Sequence, residues 1–287
     1  MAQPINIKLD ASRYKRPTIE DVNAAKEFVL QRGEYGRLLV AEIDELLEDA
    51  AQEIVSICYR YDFEPKNLYF GVGFNEQMMD EISAVMDELE EKILALIDRY
   101  CAVVVRNRAA EERTALLAWL STLGRGNRNL RDTLDDYLYK FMKDLEAAVA
   151  ALKYTGADLP KAITRIKTYL HSIYTMPEMQ SAFKRATDFT ATYVRSRGVQ
   201  QGGVGLSNNG STNVTNMART TLDMAWMRQY RFDMAENGAA GYYVSRGSSY
   251  PCALCDSMTG FHPMTDIDGF PPYHPHCCCF VIPIQQK

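Results

Sequence analysis

At 287 residues with 47% hydrophobic content, the chain has room for about two domains and enough apolar side chains to bury a core. Residues 1–190 carry 25 basic and 31 acidic side chains and residues 191–287 carry 7 and 6, so neither part has the strong positive charge of a dedicated nucleic-acid binder. The most apolar run, Ile93 to Val105, is interrupted by Asp98 and Arg99 and falls short of the roughly 20 apolar residues of a membrane-spanning helix, and nothing from Met1 to Pro17 resembles a secretory signal.

The periodicity predicts helices first and a compact end, in chain order. Thr18 is an N-cap candidate for a helix carrying Val22, Ala25, Phe28 and Val29, which Gly33 is expected to close. Tyr35 to Arg60 repeats Leu39, Ile43, Leu46, Ala50, Ile54 and Cys58 on one stripe, which makes Cys58 a core residue. After a connector with Pro65, Gly71 and Gly73, one long stripe from Glu76 to Ala118 suggests a helical hairpin arm or a coiled-coil-like element. The turn Gly124-Arg-Gly126-Asn-Arg128 exposes arginines, with Arg131 nearby, and reads as solvated surface. Helices are expected over Asn129–Leu152, Leu159–Tyr174 and Glu178–Arg197, with His171 packed or at the surface. Gln200 to Asn213, rich in Gly, Ser and Asn, reads as a flexible linker and lacks the spacing of a phosphate-binding loop. Val214 to Glu236 is then a helix apolar nearly all round, Ala240 to Arg246 a strand, and Cys279 to Ile284 a second strand. The expected fold is therefore mainly α: a helical body over 1–198, a linker over 199–213, and a small α+β module over 214–287.

That module holds the chemistry. Cys252-Ala-Leu-Cys255 and His274-Pro-His-Cys277-Cys278-Cys279 gather five of the seven cysteines. A Cys-x-x-Cys turn points two thiolates at one place, and a second His/Cys group after a loop of this length can close a tetrahedron around zinc. Disulfides compete as an explanation, but adjacent cysteines bridge only with strain, and a chain kept in a reducing compartment more often uses such spacing for metal. The expected ligands are Cys252, Cys255, His274 and Cys277, with Cys279 able to replace one of them, and zinc as the cofactor.

With Arg219-Thr-Thr-Leu-Asp-Met-Ala, Tyr242-Tyr-Val, Gly260 and Pro271-Pro272, these motifs make residues 214–284 resemble the C-terminal domain of the phage Mu F-like minor head proteins. The family commonly has a basic or polar residue where this chain has Cys278, so the thiol set stays open. The resemblance implies a phage head morphogenesis protein with no catalytic residues. It would be a minor virion component assembled in the bacterial host cytoplasm, associated with the portal or major capsid protein and sometimes travelling with the DNA.

Two other classes fit the sequence less well. Pro251-Cys252-x-x-Cys255 matches half of the zinc-deaminase signature, but neither His171, Cys101 nor Cys58 supplies the missing ligand-x-Glu half. A metal-assisted nuclease would have to use His262, His276, Asp266 or Asp268, in a loop where such residues ordinarily make turns. A nucleic-acid-binding knuckle would need Lys or Arg among its ligands, and Cys252 to Ile284 has none; Arg125, Arg128, Arg195 and Arg197 of the helical part are better candidates for contact with packaged DNA.

Overall fold

Thr18 and Asp21 start the first helix by a reciprocal cap: the Asp21 amide donates to Thr18 Oγ1 at 3.2 Å, and the Thr18 amide donates to Asp21 Oδ2 at 2.8 Å. The structure is a computed structural model and describes residues 8–61, 76–124, 128–184, 207–274 and 276–287. Among these are eight α-helices and one three-stranded antiparallel sheet, so the chain is mainly helical with a small C-terminal sheet. The helices are α1 (Ile19–Arg60), α2 (Glu76–Val104), α3 (Ala110–Ser121), α4 (Leu130–Tyr154), α5 (Leu159–Tyr169), α6 (Pro177–Lys184), α7 (Gly210–Glu236) and α8 (Ala253–Ser257); the strands are β1 (Gly241–Ser245), β2 (Gly260–Pro263) and β3 (Phe280–Ile284). None of the described helices is long and apolar enough to cross a membrane.

Several boundaries differ from expectation, each for a physical reason. Gly33 does not end a helix: α1 runs through it for 42 residues, because the apolar stripe resumes at Leu39 and Ile43 and nothing packs where a glycine side chain is missing. The stretch from Glu76 to Ala118, expected as a helical hairpin arm or a coiled-coil-like element, is two helices, α2 and α3. They part where the β-branched run Val103–Val105 meets Asn107, and turn hydrogen bonds such as Arg108 N to Val105 O (3.0 Å) replace the helical ladder. The helix expected to reach Tyr174 stops at Tyr169, and a 3-10 turn over Ile173–Thr175 follows. Of the expected linker, residues 207–213 are described and are not an open crossing. Gly210 opens α7, and Asn209, Ser211 and Asn213 are buried. A side chain at Gly210 would lie 2.2 Å from the Phe141 amide nitrogen, so this glycine permits close approach of two helices rather than flexibility. Residues 62–75, 125–127, 185–206 and Pro275 lie outside the described residues, and with them the connector glycines, Arg125, Arg195 and Arg197.

The chain divides into two compact units. One comprises Val40–Asp98 and Ser121–Met217 and centres on α4, whose side chains are buried almost continuously from Leu138 to Leu152. Its interior includes charge. Lys140 Nζ meets the Asp144 carboxylate, whose other oxygen accepts the Gly210 amide at 2.8 Å, while Tyr174 donates to Asp144 at 2.6 Å. Lys143 pairs with Glu146 at 2.7 Å.

The other unit comprises Met1–Leu39, Arg99–Leu120 and Ala218–Lys287 and contains the sheet. The strand order is β2-β1-β3, with Tyr243 opposite both Phe261 and Ile282. Short β2 was not legible from the sequence. One sheet face packs Phe280 and Ile282 against Val22, Ala25 and Val29 of α1; a second cluster joins Tyr242, Val244 and Val281 to Met227 and Met234 of α7. The Lys15 amide donates to the Gln285 carbonyl at 2.9 Å, which ties the N-terminal segment to the residues after β3.

Candidate metal centre

The two halves of the Cys/His pattern approach each other because β1 pairs with both of the strands they flank. Cys252 follows β1 after a turn and caps α8, with its Sγ accepting the Cys255 amide at 3.5 Å. The Cys-x-x-Cys pair thereby occupies a single helical turn with both thiols on one side. The second half forms its own turn: the Cys277 amide donates to the His274 carbonyl at 3.1 Å, and His276 bends the chain at φ 61°, a left-handed conformation in which histidine is among the more tolerant non-glycine residues. Cys279 then leads directly into β3.

Five side chains meet there. His274 Nε2 lies 3.3 Å from Cys252 Sγ and 3.0 Å from Cys255 Sγ, and the Sγ atoms of Cys255 and Cys277 are 3.9 Å apart. A tetrahedral zinc with Zn–S of ~2.3 Å separates its sulfur ligands by ~3.8 Å, close to the last of these distances. The donors form two overlapping triads, Cys252/Cys255/His274 and Cys255/Cys277/Cys279, within each of which the donor atoms lie within 4.8 Å of one another, and Cys255 belongs to both. This donor set of soft thiols and an imidazole could hold a metal ion and suits zinc. All seven cysteines are free thiols. Cys278 stands apart from both triads and points its thiol at the His276 carbonyl.

The electrostatics differ from thiol to thiol. Burial pushes the Cys255 thiol up to about 12, whereas hydrogen bonding from the Cys279 thiol brings Cys277 down to about 5 and raises Cys279 in return. Backbone N–H donation from Cys255 lowers Cys252. One thiol therefore ionises at the expense of its neighbour, an arrangement that a divalent cation would relieve by taking thiolates on both sides.

Two arginines position the cluster. Arg32 of α1, buried, donates from Nη2 to the Cys277 carbonyl at 2.8 Å and pairs through Nε with Asp223 of α7 at 3.2 Å. Burial raises the Asp223 carboxyl, opposed first by Arg32 and then by Arg219. Arg32 went unnoticed in the sequence, being 245 residues from Cys277, yet a signal existed: it continues the stripe of Val22, Ala25 and Val29, where a charge has no place unless it is paired. Arg246, just past β1, bridges the Tyr250 carbonyl and the Asp256 carboxylate and so holds the loop that carries Cys252.

The remaining sequence candidates fall elsewhere. His262 presents Nδ1 to Asp266 at 2.8 Å and Nε2 to the Met258 carbonyl at 3.0 Å, and its ring stacks on Tyr242 at 5.3 Å. Asp266 also accepts the Gly269 amide at 2.9 Å, so this pair braces the loop after β2. His276 is exposed, and neither triad includes it or Asp268. His171 pairs with Asp44 at 3.0 Å, and Cys58 is buried in the core, its thiol raised to about 12 by that burial. Arg128 is engaged by Asp136, and Arg131 by Glu90 and Glu91.

Comparison with known proteins returned no matching family model, no matching curated protein and no matching solved structure. Fold and site together define a mainly helical protein with a small antiparallel sheet and a Cys/His cluster able to hold a metal ion.

Proposed function

We propose that the protein is a structural minor head protein of a tailed phage or prophage, a head morphogenesis component whose C-terminal module is stapled by zinc. The observation that carries this reading is the spacing Cys252-x-x-Cys255 and His274-Pro-x-Cys277-x-Cys279 downstream of Arg219–Ala225, which resembles the Mu F-like family, taken with the two overlapping triads that those five side chains form through Cys255. The role of the bound ion is mechanical. A closed Cys/His zinc site contributes on the order of 10 kcal/mol to folding, well beyond what a five-residue helix and three short strands gain from their own burial. The module then serves as a rigid attachment piece, held to α1 by Arg32, and docks the chain to the portal or major capsid protein inside the head. Contact with packaged DNA, if made, belongs to the helical body.

Quantitative mass spectrometry of density-purified particles from a host carrying the intact gene cluster tests this. The expected result is this chain in the particle fraction at a few copies per head, alongside portal and capsid protein. Its confinement to the soluble lysate, with particles of normal composition, overturns the proposal.

A further inference from the structure

A cleft of about 270 Å³ lies between Trp119 of α3, the side of α7 running from Met224 to Phe232, and the loop from Ile267 to Pro272. No residue of the Cys/His cluster lines it, so its function does not depend on the metal reading. The wall is largely apolar, and the Phe232 and Ile267 side chains at its edge are 49% and 66% exposed. Into this apolar wall project two guanidinium groups. Arg228 stands over Trp119 at 4.2 Å on one side and Phe232 at 5.5 Å on the other, and its Nη1 is buried without an acceptor. Arg231 spends Nη2 on the Met264 carbonyl at 2.6 Å, which leaves its Nε buried and unmatched as well. Burial alone depresses Arg228, with no carboxylate offsetting it. A charged N–H buried without an acceptor costs free energy, and both residues that carry one line this cleft.

We propose that this cleft docks an extended segment of a partner protein that places a single carboxylate, from Asp, Glu or a chain terminus, beside an apolar or aromatic side chain. The carboxylate would pair with the guanidinium groups of Arg228 and Arg231 that line the cleft, and the apolar side chain would lie against Phe232 and Ile267. Charge complementarity favours one anionic group rather than a polyanion. Arg228 and Arg231 are the two cations of the lining, and no further cation lines the cleft to track a phosphate backbone.

The test is a titration of the isotopically labelled full-length protein, followed at the assigned indole N–H signal of Trp119. The probes are acetyl-Gly-Asp-Phe-Gly-amide, the same peptide with Asn for Asp, and an oligothymidylate of about eight nucleotides. The Asp peptide is expected to shift the signal saturably and the Asn peptide to bind about tenfold more weakly, the factor carried by a charge-assisted hydrogen bond. Arg228→Gln is expected to erase that difference. Phe232→Ala, at a half-exposed position of the cleft edge, is expected to weaken both peptides by a similar factor. Equal binding of the two peptides, no saturable shift up to about 10 mM, or tighter competing binding of the oligothymidylate each overturns the proposal, the last in favour of nucleic acid.

Discussion

Cys255 is the residue on which the metal centre turns, because it alone belongs to both triads. Cys255→Ser is expected to lower metal retention by at least tenfold, whereas Cys278→Ser, which removes a thiol aimed at the His276 carbonyl, is expected to leave metal content unchanged; metal analysis of the two variants after gel filtration checks both. Asp266 offers a separate residue-scale test. Its carboxyl is held below the usual range, first by the His262 hydrogen bond and then by the Gly269 amide. A carboxyl depressed in the folded state contributes stability that is present above its unfolded value, ~3.9, and is lost as pH falls through the folded value. Carbon-detected NMR should therefore place the Asp266 midpoint below ~3.9, and His262→Ala should move it upward; a midpoint at the ordinary value contradicts the bracing role given to this pair. The Cys252/Cys255 half of the Cys/His cluster was legible because Cys-x-x-Cys spacing is set by one helical turn. Arg32 was not, because its partners Asp223 and Cys277 are brought to it only by tertiary folding.

At the scale of elements, the informative cases are the two glycines misread as breaks. Gly33 sits within α1 with open space where its side chain would be, so Gly33→Ala is expected to raise stability by about 0.5–1 kcal/mol in chemical denaturation. Gly210 is the opposite case, a glycine at which the backbone of Phe141 occupies the space. A glycine in a sequence looks the same in both settings, since what distinguishes them is a neighbour distant in the chain. Buried charge on α4 was equally invisible. Lys140, Lys143, Asp144 and Glu146 are charged residues of α4, yet all are buried, and they pair as Lys140 with Asp144 and Lys143 with Glu146. Burial presses the Lys140 ammonium down and the Asp144 carboxyl up, and each shift is opposed first by the charge of the other. Asp144→Ala strands Lys140 and the Gly210 amide and is expected to cost about 3–5 kcal/mol, while the double substitution of Lys140→Met with Asp144→Leu recovers much of it; urea midpoints of the three proteins decide.

At the scale of the whole molecule, the mainly helical class and the small C-terminal sheet were readable, because helical periodicity persists over long stripes and α7 ends at an Asn-Gly signal. Strand β2 was lost because four residues ending in proline carry too little alternation to register. The boundary between α2 and α3 was not placed, because the apolar run Val103 to Val105 carries no turn residue of its own. What no pattern could supply is the way β1 serves both neighbours and so draws Cys252 toward His274. The account's central claim is that this meeting point binds zinc and that the ion stabilises the module. Zinc content of the full-length protein, measured together with X-ray absorption at the zinc edge and melting with and without chelator, tests it most directly. The account predicts about one zinc per chain, a sulfur-rich shell at ~2.3 Å and a clear loss of melting temperature on chelation. Protein purified from zinc-replete cells without stoichiometric metal, and melting identically in chelator, would contradict it.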